Sequence, residues 1–174
     1  MVGEDSFSVS AWVNASGTNG AGCCGSIVAQ RGANSWALRY DNRDTNPIEF
    51  IATPSWQGDG GDFGTSLPSF NDWHHIVGVL NVDTISLYVD GALMDTKSYS
   101  GTIGGSGLFA EIGGAGDGYF KGAIDEVRIY NRALSSEDVQ VVMANATSAP
   151  EPTTLASFTL GIMGLASLRF MKKS

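Results

Sequence analysis

The stretch Phe120–Val139, FKGAIDEVRIYNRALSSEDV, decides how the whole chain is read. Its first half alternates. Ala123, Asp125, Val127 and Ile129 fall on one side of an extended segment, and Ile124, Glu126, Arg128 and Tyr130 on the other, as a period of two requires. The first set predicts the core face. There Asp125 would lose water and need a partner: backbone N–H groups, a basic side chain or a cation. The second half changes period. Ser135 is placed to cap a helix with Asp138 reaching back to it, and Val139, Val142 and Met143 form a short apolar stripe. A strand thus hands the chain to one capped helix, and the domain closes there.

Working outward, the same alternation recurs. In FSVSAWV (Phe7–Val13), Phe7, Val9, Ala11 and Val13 share one face and Ser8, Ser10 and Trp12 the other. Further runs follow at SIVAQR, SWALRY, IEFIA, HHIVGVL, TISLYV, ALMDTKSY and LFAEIG, parted by turn residues such as Asn81-Val82-Asp83 and Asp90-Gly91. With AIDEVRIY this makes nine strands, enough for two antiparallel sheets packed face to face. The 174 residues allow one domain of ordinary size. Trp12, Trp36 and Trp73 lie in or at the start of strands and are expected in the core.

Charge is segregated. Residues 1–150 hold 17 acidic against 7 basic side chains, whereas Glu151 is the one acid facing Arg169, Lys172 and Lys173 in the remainder. An acidic body lacks the basic stripe that phosphates need, which excludes nucleic acid as a partner. Cys23 and Cys24 are adjacent, an inert thiol pair or a strained vicinal disulfide, and say little of compartment.

The C-terminus is an appendage. TSAPEPTT (Thr147–Thr154), with two prolines and small polar residues, reads as a linker. Thr153–Leu168 carries no charge and as a helix would reach about 24 Å, short of a hydrocarbon core of about 30 Å. With Arg169 snorkelling, Phe170 and Met171 extend it to Lys172 and Lys173, which would keep the C-terminus cytoplasmic and the β domain outside. The expected division is a β domain at 1–146, a linker at 147–154 and a separate hydrophobic helix with a basic end at 155–174.

The run from FSVSAWV through WHHIVGVL, LYVDG, IGG and FKGAIDEVRIYNRALSSEDV resembles the bacterial laminin G-like jelly-roll domains of the concanavalin A-like lectin/glucanase group. This implies a two-sheet antiparallel jelly-roll sandwich with one short C-terminal capping helix. Only MVGEDS precedes FSVSAWV, so the resemblance also implies a first strand upstream of Met1. The tail resembles the PEP-CTERM sorting signals of Gram-negative bacteria: Pro150, Glu151 and Pro152, a short apolar helix, then Arg169, Lys172 and Lys173. That family implies export, transient anchoring in the inner membrane, processing by an exosortase and delivery to the cell surface or extracellular matrix. It also requires an N-terminal export signal, which would lie upstream with the missing strand.

Glucanases of this fold cleave with an E-x-D-x-x-E set, but around Asp125 the corresponding positions are Ala123 and Arg128. The adjacent His74 and His75 point to opposite sheet faces, and no Ser/His/Asp set is expected. The chain reads as non-catalytic. A carbohydrate-binding or adhesion module is the leading expectation, with an extracellular glycan or glycoprotein as partner. A structural matrix protein without a small ligand, or a targeting remnant of a larger glycan-active enzyme, are the alternatives. Sugars need a ring beneath their apolar face and carboxylates or amides at their hydroxyls. TPSWQGDGGDFG supplies these in Trp56, Gln57, Asp59 and Asp62, and Tyr119 stands in another Gly-rich loop. Calcium is the cofactor to expect, with Asp41, Asn42 and Asp44 of YDNRDTN and Asp125 as its candidate ligands.

Overall fold

β1 (Ser6–Ala15) is the strand around which the molecule is built, because its alternation is clean: Phe7, Val9, Ala11, Val13 and Ala15 are buried in one core cluster. The computed structural model describes residues 6–17, 25–30, 35–41, 47–52, 63–101, 103, 109–114 and 118–146. The chain forms two compact units, Met1–Met143 and Ala144–Ser174, and the sandwich is the first. After β1 come β2 (Gly25–Gln30), β3 (Trp36–Tyr40), β4 (Ile48–Ala52), β5 (Trp73–Asn81) and β6 (Thr84–Val89). β7 (Ala92–Ser98), β8 (Ala110–Ile112), β9 (Gly122–Tyr130) and helix α1 (Ser136–Ala146) complete the order.

The strands form two sheets, β7-β6-β5-β1-β9 and β4-β3-β2-β8, with every ladder antiparallel. This is the expected nine-strand jelly-roll sandwich with one short helix. The inner faces meet around Phe7, Trp36, Leu38, Phe50, Ile76 and Leu87. Gly78 of β5 is there because the Phe50 ring lies on its backbone: a Cβ would sit 2.4 Å from Phe50 Cγ. The β6–β7 hairpin turns at Asp90-Gly91 with φ of 49° and 78°, as the sequence requires.

The helix start follows the predicted pattern. Asp138 N–H donates to Ser135 Oγ and Ser135 N–H to Asp138 Oδ2. Arg132 forks onto the same carboxylate, and its two bonds, with the Ser135 N–H, hold Asp138 well below the usual carboxylate range. The helix is fastened to the outer face of the five-stranded sheet. Ser8 Oγ accepts from Leu134 N–H and donates to Arg132 O, while Val139 packs with Val77, Val79 and Tyr88.

Two expectations are corrected. Asp125 is not on the core face. Between Ser10↔Arg128 and Trp12↔Asp125 the β1–β9 register slips by one residue, and Glu126 takes a positive φ of 50°. This bulge turns the strand over. Asp125 therefore lies on the outer face with Ala123, Arg128 and Tyr130, exposed, its Oδ1 accepting from Glu126 N–H at 2.8 Å. Ile124 and Val127 pack inward instead. Of the three tryptophans, Trp36 alone is in the core. Trp12 and Trp73 belong to the outer face of the five-stranded sheet, where Trp73 is 45% exposed.

Candidate functional site

One end of the sandwich collects the termini of most strands. There Tyr40 of β3 pairs with Gly25 and Ile48, Ile48 bridges Thr65, and Ser26 bridges Tyr119. On the other sheet Ala15 pairs with Gly122, and its carbonyl accepts from Asn71 N–H. Phe70 brings the two sets together by packing its ring 6.5 Å from that of Tyr40.

Two sequence-predicted residues lie at this end. Tyr119 is 85% exposed, and its ring rests on the backbone of Gly114, where a Cβ would come 2.5 Å from Tyr119 Cδ1. A glycine is thus needed for the ring to lie flat, and an aromatic face held open to water is the surface on which a sugar ring stacks. Asp41, just past β3, is completely buried. Its carboxylate is engaged by Arg39 at 3.2 Å, and Arg39 Nε donates to Glu49 Oε2 at 2.9 Å. Arg39 faces Glu49 on β4 and Ser26 on β2, so the three charges share the outer face of the four-stranded sheet, beside Ala29, Ala37 and Ile51.

Arg39 and Glu49 escaped the sequence reading, although alternation from Asp41 puts Arg39 on its face. The missing information was register, since nothing local says that Arg39 stands opposite Glu49. Asp125 is on the outer face of the opposite sheet, so the structure does not bring it to Asp41. Among the described residues, no three His, Cys, Asp or Glu side chains group to hold a metal ion.

Trp56, Gln57, Asp59, Asp62, Asn42, Asp44, Cys23, Cys24 and the tail with Pro150, Glu151, Pro152, Arg169, Lys172 and Lys173 lie outside the described residues. The flanks of the Trp56 segment are described. It leaves β4 at buried Ala52 and ends at buried Phe63, after which Gly64 N–H donates to Asp95 Oδ2 and Thr65 pairs with Ile48. Among the described residues no helix is long and apolar enough to cross a membrane.

The structure also assembles a hydroxyl, an imidazole and a carboxylate that the sequence reading did not expect. His74 Nε2 is 3.1 Å from Ser69 Oγ and His74 Nδ1 is 2.8 Å from Asp90 Oδ2. His75 points to the other face, against the Trp12 ring at 5.3 Å, and burial pushes its imidazole down to about 4.

A family model, that of the concanavalin A-like lectin/glucanases superfamily, matches residues 1–140. The chain belongs to this superfamily. Among curated proteins none matches it. Among solved structures it is similar to domain 4 of AbnA, a GH43 extracellular arabinanase from Geobacillus stearothermophilus, in complex with arabinotriose. That likeness has a TM-score of 0.64 at 19% identity and covers 82% of this chain and 68% of the other. It is also similar to the binding domain of botulinum neurotoxin DC in complex with SialylT, with a TM-score of 0.59, 16% identity and 82% of this chain covered. A Trypanosoma rangeli sialidase mutant with trans-sialidase activity gives a TM-score of 0.53 at 17% identity, covering 84% of this chain. The chain spans 36% of the toxin domain and 24% of the sialidase. At these identities the likeness is one of fold.

Proposed function

We propose that this superfamily member is a non-catalytic carbohydrate-binding module, carried to the surface of a Gram-negative cell by its C-terminal sorting signal. The observation that carries the reading is Tyr119: a ring laid on Gly114 and left 85% exposed at the end of the sandwich where loops from both sheets converge. Neighbours of the same fold that were solved with arabinotriose and with SialylT support carbohydrate as the ligand class. In this reading Trp56 supplies a second ring, Gln57, Asp59 and Asp62 meet sugar hydroxyls, and calcium, where used, is held by the loop of Asn42 and Asp44. The carboxylate of Asp41 is committed to Arg39. The C-terminal helix holds the protein in the inner membrane until an exosortase acts near Pro150–Pro152.

A glycan array probed with the full chain, in calcium and in chelator, tests this. Binding to at least one glycan, weakened tenfold or more in Tyr119→Ala or Trp56→Ala without a fall in Tm, is expected. No bound glycan in either condition, from chain that melts cooperatively, overturns it and leaves a structural matrix role. For the tail, Lys172→Glu with Lys173→Glu should disturb membrane orientation, read by protease protection of the β domain.

A further inference from the structure

The helical end of the domain covers only part of the outer face of the five-stranded sheet: Val77, Val79 and Tyr88 pack with Leu134 and Val139, and Ser8 bonds to Leu134 N–H. Toward the end of the sandwich that holds Tyr119, the same face carries other residues. The register sets Asn14 beside Trp73, Trp12 between His75 and Asp125, and Ser10 one step nearer the helix. Trp73 and Asp125 are exposed, and Trp12 and Asn14 are half-buried.

Three polar atoms of this strip find nothing to bond. Ser10 Oγ, Trp12 Nε1 and His75 Nδ1 are sealed from water, and none has a hydrogen-bond partner among the described residues. Ser10 and His75 are completely buried. Burying one unpaired polar atom is destabilising, and three in adjoining positions point to a partner from outside the chain. The indole N–H can only donate, whereas Ser10 Oγ and His75 Nδ1 can serve either way. The β9 bulge points to the same strip. Glu126 holds a φ of 50°, a left-handed conformation that is strained for a residue other than glycine, and the bulge it makes sets the Asp125 carboxylate next to Trp12 on the open face.

We propose that this strip is a second sugar-binding face, separate from the Tyr119 rim. Trp73 and Trp12 supply the rings, and Asp125, Asn14 and the three unpaired atoms meet hydroxyls. A sugar suits both parts of this chemistry, since its C–H faces lie on indoles and its hydroxyls both donate and accept. An apolar partner would cover the tryptophans and leave the Trp12 N–H unpaired. From Asn14 to Ser10 the strip runs two steps of about 6.8 Å along β1, which suits a short oligosaccharide better than a single ring. The Trp12 indole rests against His75 with 5.3 Å between ring centroids, and it turns to admit a hydroxyl to Ser10 and His75. Turning also takes its N–H out of a position where it has no acceptor.

The strip rests on the carbohydrate-binding reading, but the two fail separately. The full chain and its Trp73→Ala, Ser10→Ala and Tyr119→Ala variants, applied to one glycan array, distinguish them. Trp73→Ala and Ser10→Ala should each weaken binding to at least one glycan by about fivefold or more, the loss of roughly one hydrogen bond or stacking contact. Ser10→Ala removes a buried hydroxyl that the fold does not use, so Tm should hold or rise while affinity falls, the reverse of a structural role. Unchanged affinity in either variant, with binding impaired in Tyr119→Ala, overturns the strip and leaves the carbohydrate function standing. Binding lost in both strip variants and kept in Tyr119→Ala upholds the strip and moves the site off the rim. No glycan bound by the unaltered chain overturns both. A dimer of the full chain that Trp73→Ala dissolves, seen by sedimentation, would make this face an interface between copies and overturn the strip. With the tightest-binding array glycan added, the Trp12 indole N–H resonance, assigned by its loss in Trp12→Phe, should shift, and an unmoved resonance overturns the proposal.

Discussion

Asp41 and Asp125 are both carboxylates on the outer face of a sheet, yet one is sealed from water and the other open to it. Asp41 follows a central strand of the four-stranded sheet, whose β2, β3 and β4 are buried on both faces. There an ion keeps its charge only by finding a counter-ion, and the β3–β4 register supplies Arg39 with Glu49 beside it. Asp125 stands on β9, an edge strand. With no neighbour beyond it among the described residues, β9 can absorb an extra residue, and the bulge at Glu126 turns the carboxylate outward, where a backbone N–H and water suffice. Position within a sheet, more than residue type, sets what a charge costs.

The largest effect should come from breaking the sealed side. Arg39→Met leaves Asp41 and Glu49 buried beside each other and is expected to cost about 3–5 kcal/mol in urea unfolding. A cost below about 1 kcal/mol would mean the ion triad is solvated and the contrast fails. A second test uses His75, which shares the outer face with Asp125 but lies two strands further from the edge. Burial holds it neutral down to about 4, so between about 6.5 and about 4 the unfolded chain takes up a proton that the folded chain refuses. Stability from this group is full above about 6.5 and falls as pH drops through that window, by an amount on the order of 1–3 kcal/mol. His75→Phe should flatten the acid limb of a Tm-against-pH curve.

Smaller effects belong to the edge. Glu126→Gly removes a left-handed L-residue worth about 1–2 kcal/mol of strain and a half-buried pair with Arg128 worth about 1 kcal/mol, so it should be neutral or stabilise by up to about 1 kcal/mol. The same change at Val127, which packs inward, should destabilise. Smallest of all, Asp125→Asn should shift stability by less than about 0.5 kcal/mol, equally in calcium and in chelator. A calcium-dependent difference in differential scanning calorimetry would return Asp125 to a cation site.

Much of the architecture was legible because it depends on short-range chemistry. Phe7, Val9, Ala11 and Val13 alternate against serines and Trp12, and the structure buries that set. Asp90-Gly91 turns where only a positive φ closes the hairpin, and Ser135 with Asp138 caps the helix. Trp12 and Trp73 went the other way because alternation tells which residues share a face but not which face has a sheet packed on it. Of the candidate site, Tyr119 was found as an aromatic in a Gly-rich loop, but its exposure follows from the Gly114 backbone beneath it. Ser69, His74 and Asp90 were missed as a set because they meet through the β5–β6–β7 pairing and the return of the Phe63–Asp72 segment.

The sequence by itself determined which segments are strands, where the hairpins and the helix begin, and that β1 turns Phe7, Val9, Ala11 and Val13 to one face, since propensity, turn geometry and period act within a few residues. The tertiary structure decided which strands are central and which are edges, that Arg39 meets Asp41 and Glu49, that a bulge reverses the faces of β9, and that two neighbouring histidines enter opposite environments. Register, burial and hydrogen-bond partners are properties of pairs brought together across the chain, and no single segment carries them.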